Sequence, residues 1–170
     1  GYDSLATLQT GSPSMGAFVG RYAGRIAQAR YTLDGTAYAL EANAGPHCIH
    51  GGPNGSRHRV FSAHQDMPDR LTLRLRFEPS VDCHPGILDL TLTYRLTGDH
   101  TLVVEHEAVA VCNASPASPA SFTPHLYFNL DGPGGTRIDD HRLQVFADRV
   151  LVADGDNVAT GEILALDGHA

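Results

Sequence analysis

The sequence has no apolar run long enough to cross a bilayer, and no basic segment followed by an apolar stretch at its N-terminus. A membrane-spanning helix needs roughly 20 mostly apolar residues, and a secretory signal has that basic-then-apolar order. We therefore expect a soluble protein without an export signal and without a membrane partner.

Clustered positive charge is also missing. The chain has 12 basic and 19 acidic residues, a formal net charge of -7, and acidic residues scattered among the basic ones. A nucleic-acid-binding surface needs Lys and Arg gathered on one face. We expect no nucleic-acid partner, and a partner that is small and neutral.

Cysteine is scarce and irregularly spaced. Cys48, Cys83 and Cys112 are an odd number and contain no C-x-x-C pair. This usage is typical of reduced thiols in a cytosol rather than of a disulfide framework or a cysteine zinc site. The sequence therefore predicts a cytoplasmic protein.

A chain of 170 residues suits one domain, which would bury roughly 70% of its unfolded surface. With 42% hydrophobic and 18% charged residues, the composition is that of a globular protein. The chain begins at Gly1 and stops at Ala170, soon after an apolar stretch. We expect residues 1–170 to be a single partial domain of a longer protein.

No window of ten or more residues has a convincing helical period, whereas residues 71–77 and 88–96 alternate apolar and polar side chains. Alternation with period two places one face of a strand against a core. A turn at 97–100 predicts a hairpin with residues 101–111, and Asp34-Gly35 predicts another between 29–33 and 37–40. Further strands are expected at residues 59–64, 118–124, 142–147 and 149–152. The predicted fold is all-β, a sandwich or a barrel.

Three motifs carry most of the functional signal. Residues 20–26 read GRYAGRI, residues 49–52 read IHGG, and residues 123–130 read TPHLYFNL. In this order and at these separations they resemble the aldose 1-epimerases, also called galactose mutarotases. That resemblance implies a large antiparallel β-sandwich, present here in incomplete form, and an isomerase of carbohydrate metabolism.

The resemblance also implies a reaction and the residues that perform it. Mutarotation removes a proton from the anomeric hydroxyl and delivers one to the ring oxygen; the sugar ring opens and closes again as the other anomer. His125 matches the family histidine that protonates the ring oxygen, and His50 matches a second active-site histidine that hydrogen-bonds the substrate. Arg25 matches an arginine that contacts sugar hydroxyls. No metal ion and no redox cofactor is expected, because an acid, a base and hydrogen-bond donors suffice.

Several positions depart from the family pattern. Gly24 and Pro124 stand where the family commonly has asparagine, His84 replaces an aromatic residue, and Phe61 replaces a tryptophan. The family's catalytic glutamate has no counterpart before Ala170. None of the chain's glutamates has its sequence context: Glu41, Glu78, Glu105, Glu107 and Glu162.

Three alternatives stay open at this point. The chain could act on hexose 6-phosphates, with Arg57 and Arg59 as candidates to bind the phosphate. It could bind carbohydrate without turnover, since a missing base removes half of the proton exchange. The spacing of His47 and His50 also allows a metal-binding β-barrel protein, although four converging ligands are not evident. An incomplete sandwich would moreover expose sheet edges, so self-association is expected.

Overall fold

The computed structural model describes residues 2–11, 14–111, 117–132 and 137–166. Within these ranges the α-helices are short, α1 at Leu5–Thr10 and α2 at Pro79–Asp82. Single 3-10 turns occur at Ala27–Ala29 and Ser56–His58. None of the described helices is long and apolar enough to cross a membrane. The prediction of an all-β chain with little helix is confirmed.

Strands make up most of the regular structure. In chain order they are β1 (Phe18–Val19), β2 (Arg25–Ile26), β3 (Arg30–Leu33), β4 (Thr36–Ala39), β5 (Cys48–Ile49), β6 (Ser62–Met67), β7 (Arg70–Phe77), β8 (Leu88–Leu96), β9 (Leu102–Ala110), β10 (Thr123–Pro124), β11 (Arg149–Ala153) and β12 (Ala159–Ala165).

The chain divides into two compact units. The central unit, Ala17–His125, contains β1 to β10 and α2. The terminal unit combines Gly1–Gly16 with Leu126–Ala170 and contains α1, β11 and β12. All three predicted site residues, Arg25, His50 and His125, belong to the central unit.

The main element of the central unit is an antiparallel sheet with strand order β6-β7-β8-β9. Phe77 pairs with Leu88 at one end of the β7–β8 ladder, and Leu96 pairs with Leu102 beside the turn between β8 and β9. The strands and the hairpin predicted from alternation over residues 71–111 are therefore confirmed, to within a residue at each end.

One face of this sheet forms the core. Leu75 and Phe77 of β7 and Leu90 and Leu92 of β8 are buried on it, and Phe18 of β1 packs against them. The residues in between point to the opposite face, because successive side chains in a strand alternate. Fully burying each such side chain stabilises the fold by about 1.5–3 kcal/mol, so this cluster is the main anchor of the central unit.

Three two-stranded ladders accompany the sheet: β1 with β10, β2 with β5, and β3 with β4. The β3–β4 hairpin turns at Asp34 and Gly35, whose φ values of 49° and 75° are those of a type I′ turn. This hairpin was predicted from the Asp-Gly pair and is confirmed. The ladders β1–β10 and β2–β5 matter most here, since they carry the two candidate histidines.

Some predicted strands are shorter or absent. The strand expected at 59–64 begins only at Ser62, because Arg59 closes the 3-10 turn with a bond from its N–H to Ser56 O (3.1 Å). The strand expected at 118–124 shrinks to Thr123–Pro124, since Pro119 has no N–H to donate to a ladder. Residues 142–147 form no strand, so that prediction is wrong: no described segment pairs with them. In the same terminal unit β11 pairs with β12 as an antiparallel hairpin.

Candidate active site

His125 is held at the end of a short ladder. Phe18 of β1 pairs with Pro124 of β10, and the His125 N–H then donates to the carbonyl of Ala17 at 2.8 Å. Since Pro124 has no N–H of its own, this bond is what extends the pairing to the histidine. The backbone of His125 is thereby fixed against β1.

His50 is placed by a different ladder. It follows β5, in which Ile49 pairs with Arg25 of β2. Two bonds join His50 to Gly24: the His50 N–H donates to the Gly24 carbonyl at 3.0 Å, and the Gly24 N–H donates to His50 Nδ1 at 3.1 Å. Asn43 holds the same strand from the other side, with its amide bonded to both the N–H and the C=O of Ile49.

The bond to Nδ1 determines the tautomer of His50. An imidazole nitrogen that accepts a hydrogen bond carries no proton, so the proton of the neutral ring lies on Nε2. Burial, followed by the positive charges of Arg57, His125 and Arg25, lowers the pKa of His50 to about 4. At neutral pH His50 is therefore a neutral ring whose Nε2–H is the available donor.

The glycines after His50 allow its loop to lie close to the first motif. His50, Gly51 and Gly52 all have left-handed backbones, with φ values of 56°, 80° and 77°. A Cβ at Gly51 would lie 2.1 Å from the carbonyl oxygen of Gly20, so only glycine fits there. The IHGG motif is thus explained by local packing as well as by its histidine.

The structure brings the three predicted side chains together. The rings of His50 and His125 meet edge to face, with centroids 5.3 Å apart. Arg25 is opposite Ile49 in the β2–β5 ladder and is close enough for its charge to act on His50. Two histidines 75 positions apart are therefore in contact, and the charge of an arginine from a third motif acts on one of them.

The two arginines of the first motif have different environments. Arg21 is completely buried, and its guanidinium donates to the carbonyls of Pro85 and Gly86, both at 2.9 Å, and to Ser118 Oγ at 3.0 Å. It also forms an ion pair with Asp82 at 3.3 Å. Arg25 is only partly buried. Arg21 therefore holds the fold, whereas Arg25 is accessible to a ligand.

Two further groups are near the site: Arg57, which the sequence analysis named only as a phosphate candidate, and Ser56, which it did not single out. Arg57 lies in the 3-10 turn after the IHGG motif, and its charge acts on His50. Ser56 beside it is buried and bonds the backbone of β1. Neither belongs to one of the three motifs, and only the tertiary contacts identify Ser56. Arg59, the other phosphate candidate, places its guanidinium over the ring of Phe77 at 5.7 Å.

The glutamates that alternate along β9 face away from the core. Glu105 and Glu107 pair with Thr93 and Thr91, on the face opposite Leu92, and both are exposed. Solvated surface side chains are what their spacing predicts.

The described residues form a cavity in the terminal unit and no metal-ligating cluster. A cavity of about 960 Å³ is lined by residues of the terminal unit such as Leu5, Leu8 and Phe128. Within the described ranges no three His, Cys, Asp or Glu side chains are grouped so that they could hold a metal ion. His47 accepts a bond from the N–H of Gln28 at Nδ1, while His50 Nδ1 is bonded to Gly24.

The family model described as aldose 1-epimerase matches residues 1–170, the whole chain. The chain belongs to the aldose 1-epimerase family. This agrees with the order and spacing of the three motifs and with the convergence of their side chains.

Characterised relatives agree. The chain is 36% identical over 170 residues to a galactose mutarotase of Bos taurus, covering all of this chain and 48% of the relative. It is 35% identical over 140 residues to an aldose 1-epimerase of Escherichia coli (strain K12), covering 82% of this chain and 39% of the relative. The chain therefore spans about half the length of the curated relatives it matches.

Solved structures show the same fold. The crystal structure of an aldose epimerase homologue from C. elegans superposes with a TM-score of 0.89 at 30% identity, covering 99% of this chain and 50% of that one. A galactose 1-epimerase from Lactobacillus acidophilus gives a TM-score of 0.82 at 27% identity, over 98% of this chain and 48% of that one. The predicted all-β sandwich of the mutarotase type is thereby confirmed.

Proposed function

We propose that the whole protein interconverts the α and β anomers of a free hexose such as galactose or glucose. The observation that supports this most strongly is the meeting of His50 and His125 at 5.3 Å beside Arg25. Ring opening needs a proton donor at the ring oxygen and donors that hold the hydroxyls, and these three side chains supply both types of group.

Each residue takes a separate part in this proposal. His125 gives its proton to the ring oxygen as the ring opens and recovers it on closure. His50, neutral and carrying its proton on Nε2, donates to a sugar oxygen without competing as an acid. Arg25 offers its planar set of N–H donors to neighbouring hydroxyls. The anomeric hydroxyl loses its proton to a base that none of these three residues provides.

Polarimetry tests the catalytic role. The whole protein should speed the change in optical rotation of freshly dissolved α-D-galactose, and His125→Ala should lower kcat by roughly 10²–10⁴-fold, the usual contribution of a general acid. His64→Ala is the matched control, because His64 is an exposed histidine of β6. If His125→Ala keeps the rate of the unaltered protein, the assignment is wrong.

The charge near His50 favours a second candidate substrate, a hexose 6-phosphate. Arg25 and Arg57 are both close enough to affect His50, and guanidinium groups bind phosphate well. Titrating galactose and then glucose 6-phosphate into the same protein separates the two candidates. Preference for the phosphate, lost in Arg57→Gln, would replace the free sugar as the substrate; binding of sugar with no change in rotation rate would identify a binding protein.

We also propose a cytoplasmic location and reduced thiols. Cys48 is a buried free cysteine and Cys83 an exposed one, which suits a reducing compartment; Cys112 lies outside the described residues. Thiol counting on the 170-residue chain purified under non-reducing conditions should give three free thiols.

A further inference from the structure

The two histidines of the site depend on separate ladders. His125 follows β10, which pairs with β1, whereas His50 follows β5, which pairs with β2. These ladders belong to different two-stranded sheets, so strand pairing alone does not set the distance between the rings. Backbone bonds between Ser121 and both Arg21 and Ala23 provide one link between them.

Ser56 provides a second and more central link. Its hydroxyl donates to the carbonyl of Phe18 at 2.6 Å and lies 3.3 Å from the carbonyl of Gly20. Its N–H donates to the same Gly20 carbonyl at 3.0 Å. Phe18 is the ladder partner of Pro124, the residue before His125, so Ser56 is bonded to the backbone that holds that histidine.

The other side of Ser56 meets the loop of His50. A Cβ on the preceding residue, Gly55, would lie 2.4 Å from the carbonyl oxygen of His50 and 3.0 Å from that of Gly20. The segment around Ser56 is therefore pressed against the His50 loop while its hydroxyl is bonded to β1. Ser56 is only 1% exposed, so bulk solvent does not compete for these bonds.

We propose that the Ser56 hydroxyl is a positioning group that sets the spacing of the His50 and His125 rings. It does not touch the substrate; it ties the loop of one histidine to the strand that carries the other. The expected effect on sugar binding rests on the proposed function, whereas the expected effect on the titration of His50 does not.

The test removes the hydroxyl and follows His50. In Ser56→Ala the loop loses its bond to Phe18, water reaches the ring, and its pKa should rise from about 4 toward the ordinary value. A rise of about one unit would increase the protonated fraction of His50 at pH 6 from roughly 1% to roughly 10%, which the ring nitrogen chemical shifts measure by NMR. The charged groups that act on the ring are Arg57, His125 and Arg25, and a greater distance from His125 would change the pKa of His50 in the same direction.

Three further variants separate positioning from stability. Ser56→Cys replaces the hydroxyl with a thiol, which is a poor hydrogen-bond donor, and should raise the pKa of His50 as Ser56→Ala does. Leu90→Val weakens the buried core, and Thr160→Val removes a hydroxyl bonded at 3.1 Å to Val152 O; neither should shift His50. The proposal would be overturned if the pKa of His50 were unchanged in both Ser56 variants, or if Leu90→Val shifted that pKa by the same amount.

Galactose binding to the same variants tests whether the position of His50 matters for the substrate. Galactose affinity should fall roughly tenfold in Ser56→Ala and remain unchanged in Thr160→Val, since a misplaced donor loses about one hydrogen bond. If the unaltered protein binds no galactose, the proposed function fails, and the NMR result still decides whether Ser56 positions the histidines. If galactose binds equally to the parent and Ser56→Ala while His50 is unshifted, Ser56 is only a core residue.

Discussion

Gly24 shows how a departure from the family pattern can suit the backbone. Its φ of 84° is in the left-handed region, and its N–H donates to His50 Nδ1. Asparagine, the usual family residue here, is among the side chains that tolerate this conformation, and glycine tolerates it best. The change from asparagine to glycine therefore preserves the bond that fixes the His50 tautomer.

The effect of a substitution at Gly24 on stability should depend on backbone strain rather than on steric contacts of the new side chain. Nothing lies within 4 Å of a Cβ built there, so Gly24→Ala should cost about 1–2 kcal/mol of unfolding free energy from the left-handed backbone alone. Gly24→Asn should cost less. Gly98→Ala, also in open space but without a positive φ, is the control and should be neutral or slightly stabilising. Urea unfolding measures all three, and equal losses at Gly24 and Gly98 would contradict the explanation.

His84 is a buried titratable group where the family usually has an aromatic ring. It is 1% exposed, its Nδ1 is 3.0 Å from the hydroxyl of Tyr31, and the two rings stack. Burial, followed by the charge of Arg21, lowers its pKa to about 4. The folded protein therefore binds fewer protons at this residue than the unfolded chain does between pH 4 and pH 6.5.

This difference makes stability depend on pH with a definite sign. Stability from a neutral buried His84 is complete above about pH 6.5 and is lost as the pH falls toward 4. Between pH 7 and pH 5 the native protein should lose about 1–2 kcal/mol more than His84→Phe, which keeps a ring against Tyr31 but cannot titrate. Urea unfolding at both pH values checks this, and parallel pH slopes for the two proteins would show that His84 does not titrate on unfolding.

Among single residues, the sequence identified those that belong to motifs. Arg25, His50 and His125 were named from their contexts, and the structure places them together. Ser56 was missed, because an isolated serine between Gly55 and Arg57 has no spacing or composition that marks it. Its two carbonyl partners are 38 and 36 positions away, and such contacts exist only once the chain has folded.

At the scale of elements, alternation was reliable where a partner strand exists. Residues 71–77 and 88–96 became β7 and β8 because each has neighbours on both sides and a buried face. Residues 142–147 were also expected to be a strand but form none, and Leu143 and Phe146 are exposed. A strand is stabilised by pairing, which local sequence does not report.

The middle and the end of β8 should respond very differently to truncation. Leu92 is completely buried in the core, so Leu92→Ala should cost about 2–5 kcal/mol of unfolding free energy. Leu96 lies at the end of the same strand and is 57% exposed, so Leu96→Ala should lower the free energy of unfolding by less than about 0.5 kcal/mol. Thermal and urea unfolding compare the pair, and equal losses would contradict the difference in burial between the middle and the end of the strand.

At the scale of the whole molecule, the edge strand β9 is the feature with consequences in solution. Among the described residues β9 has a partner only on the β8 side, and Leu102, Val109 and Val111 are exposed. Unpaired backbone groups beside apolar side chains favour edge-to-edge association. The self-association expected from the sequence therefore has a definite candidate surface.

The 170-residue chain should associate through this edge. We expect a mass above the monomer value of 18.1 kDa in size-exclusion chromatography with light scattering, rising with protein concentration. Val109→Lys should shift the distribution toward monomer, because a charge on an edge strand opposes pairing. Thr93→Lys adds the same charge to the inner strand β8 and should have little effect. A monomer at every concentration would rule out association.

The sequence by itself determined the family, the all-β class, the main hairpins and the three side chains that carry the proposed chemistry. These follow from short motifs and from local alternation, both of which are written in neighbouring residues. Only the tertiary structure decided that Arg21 is buried beside Asp82 while Arg25 is accessible, that His50 is neutral with its proton on Nε2, and that Ser56 joins the two histidine-bearing ladders. Burial and hydrogen bonds between distant segments set those properties, and they arise only when the chain has brought the segments together.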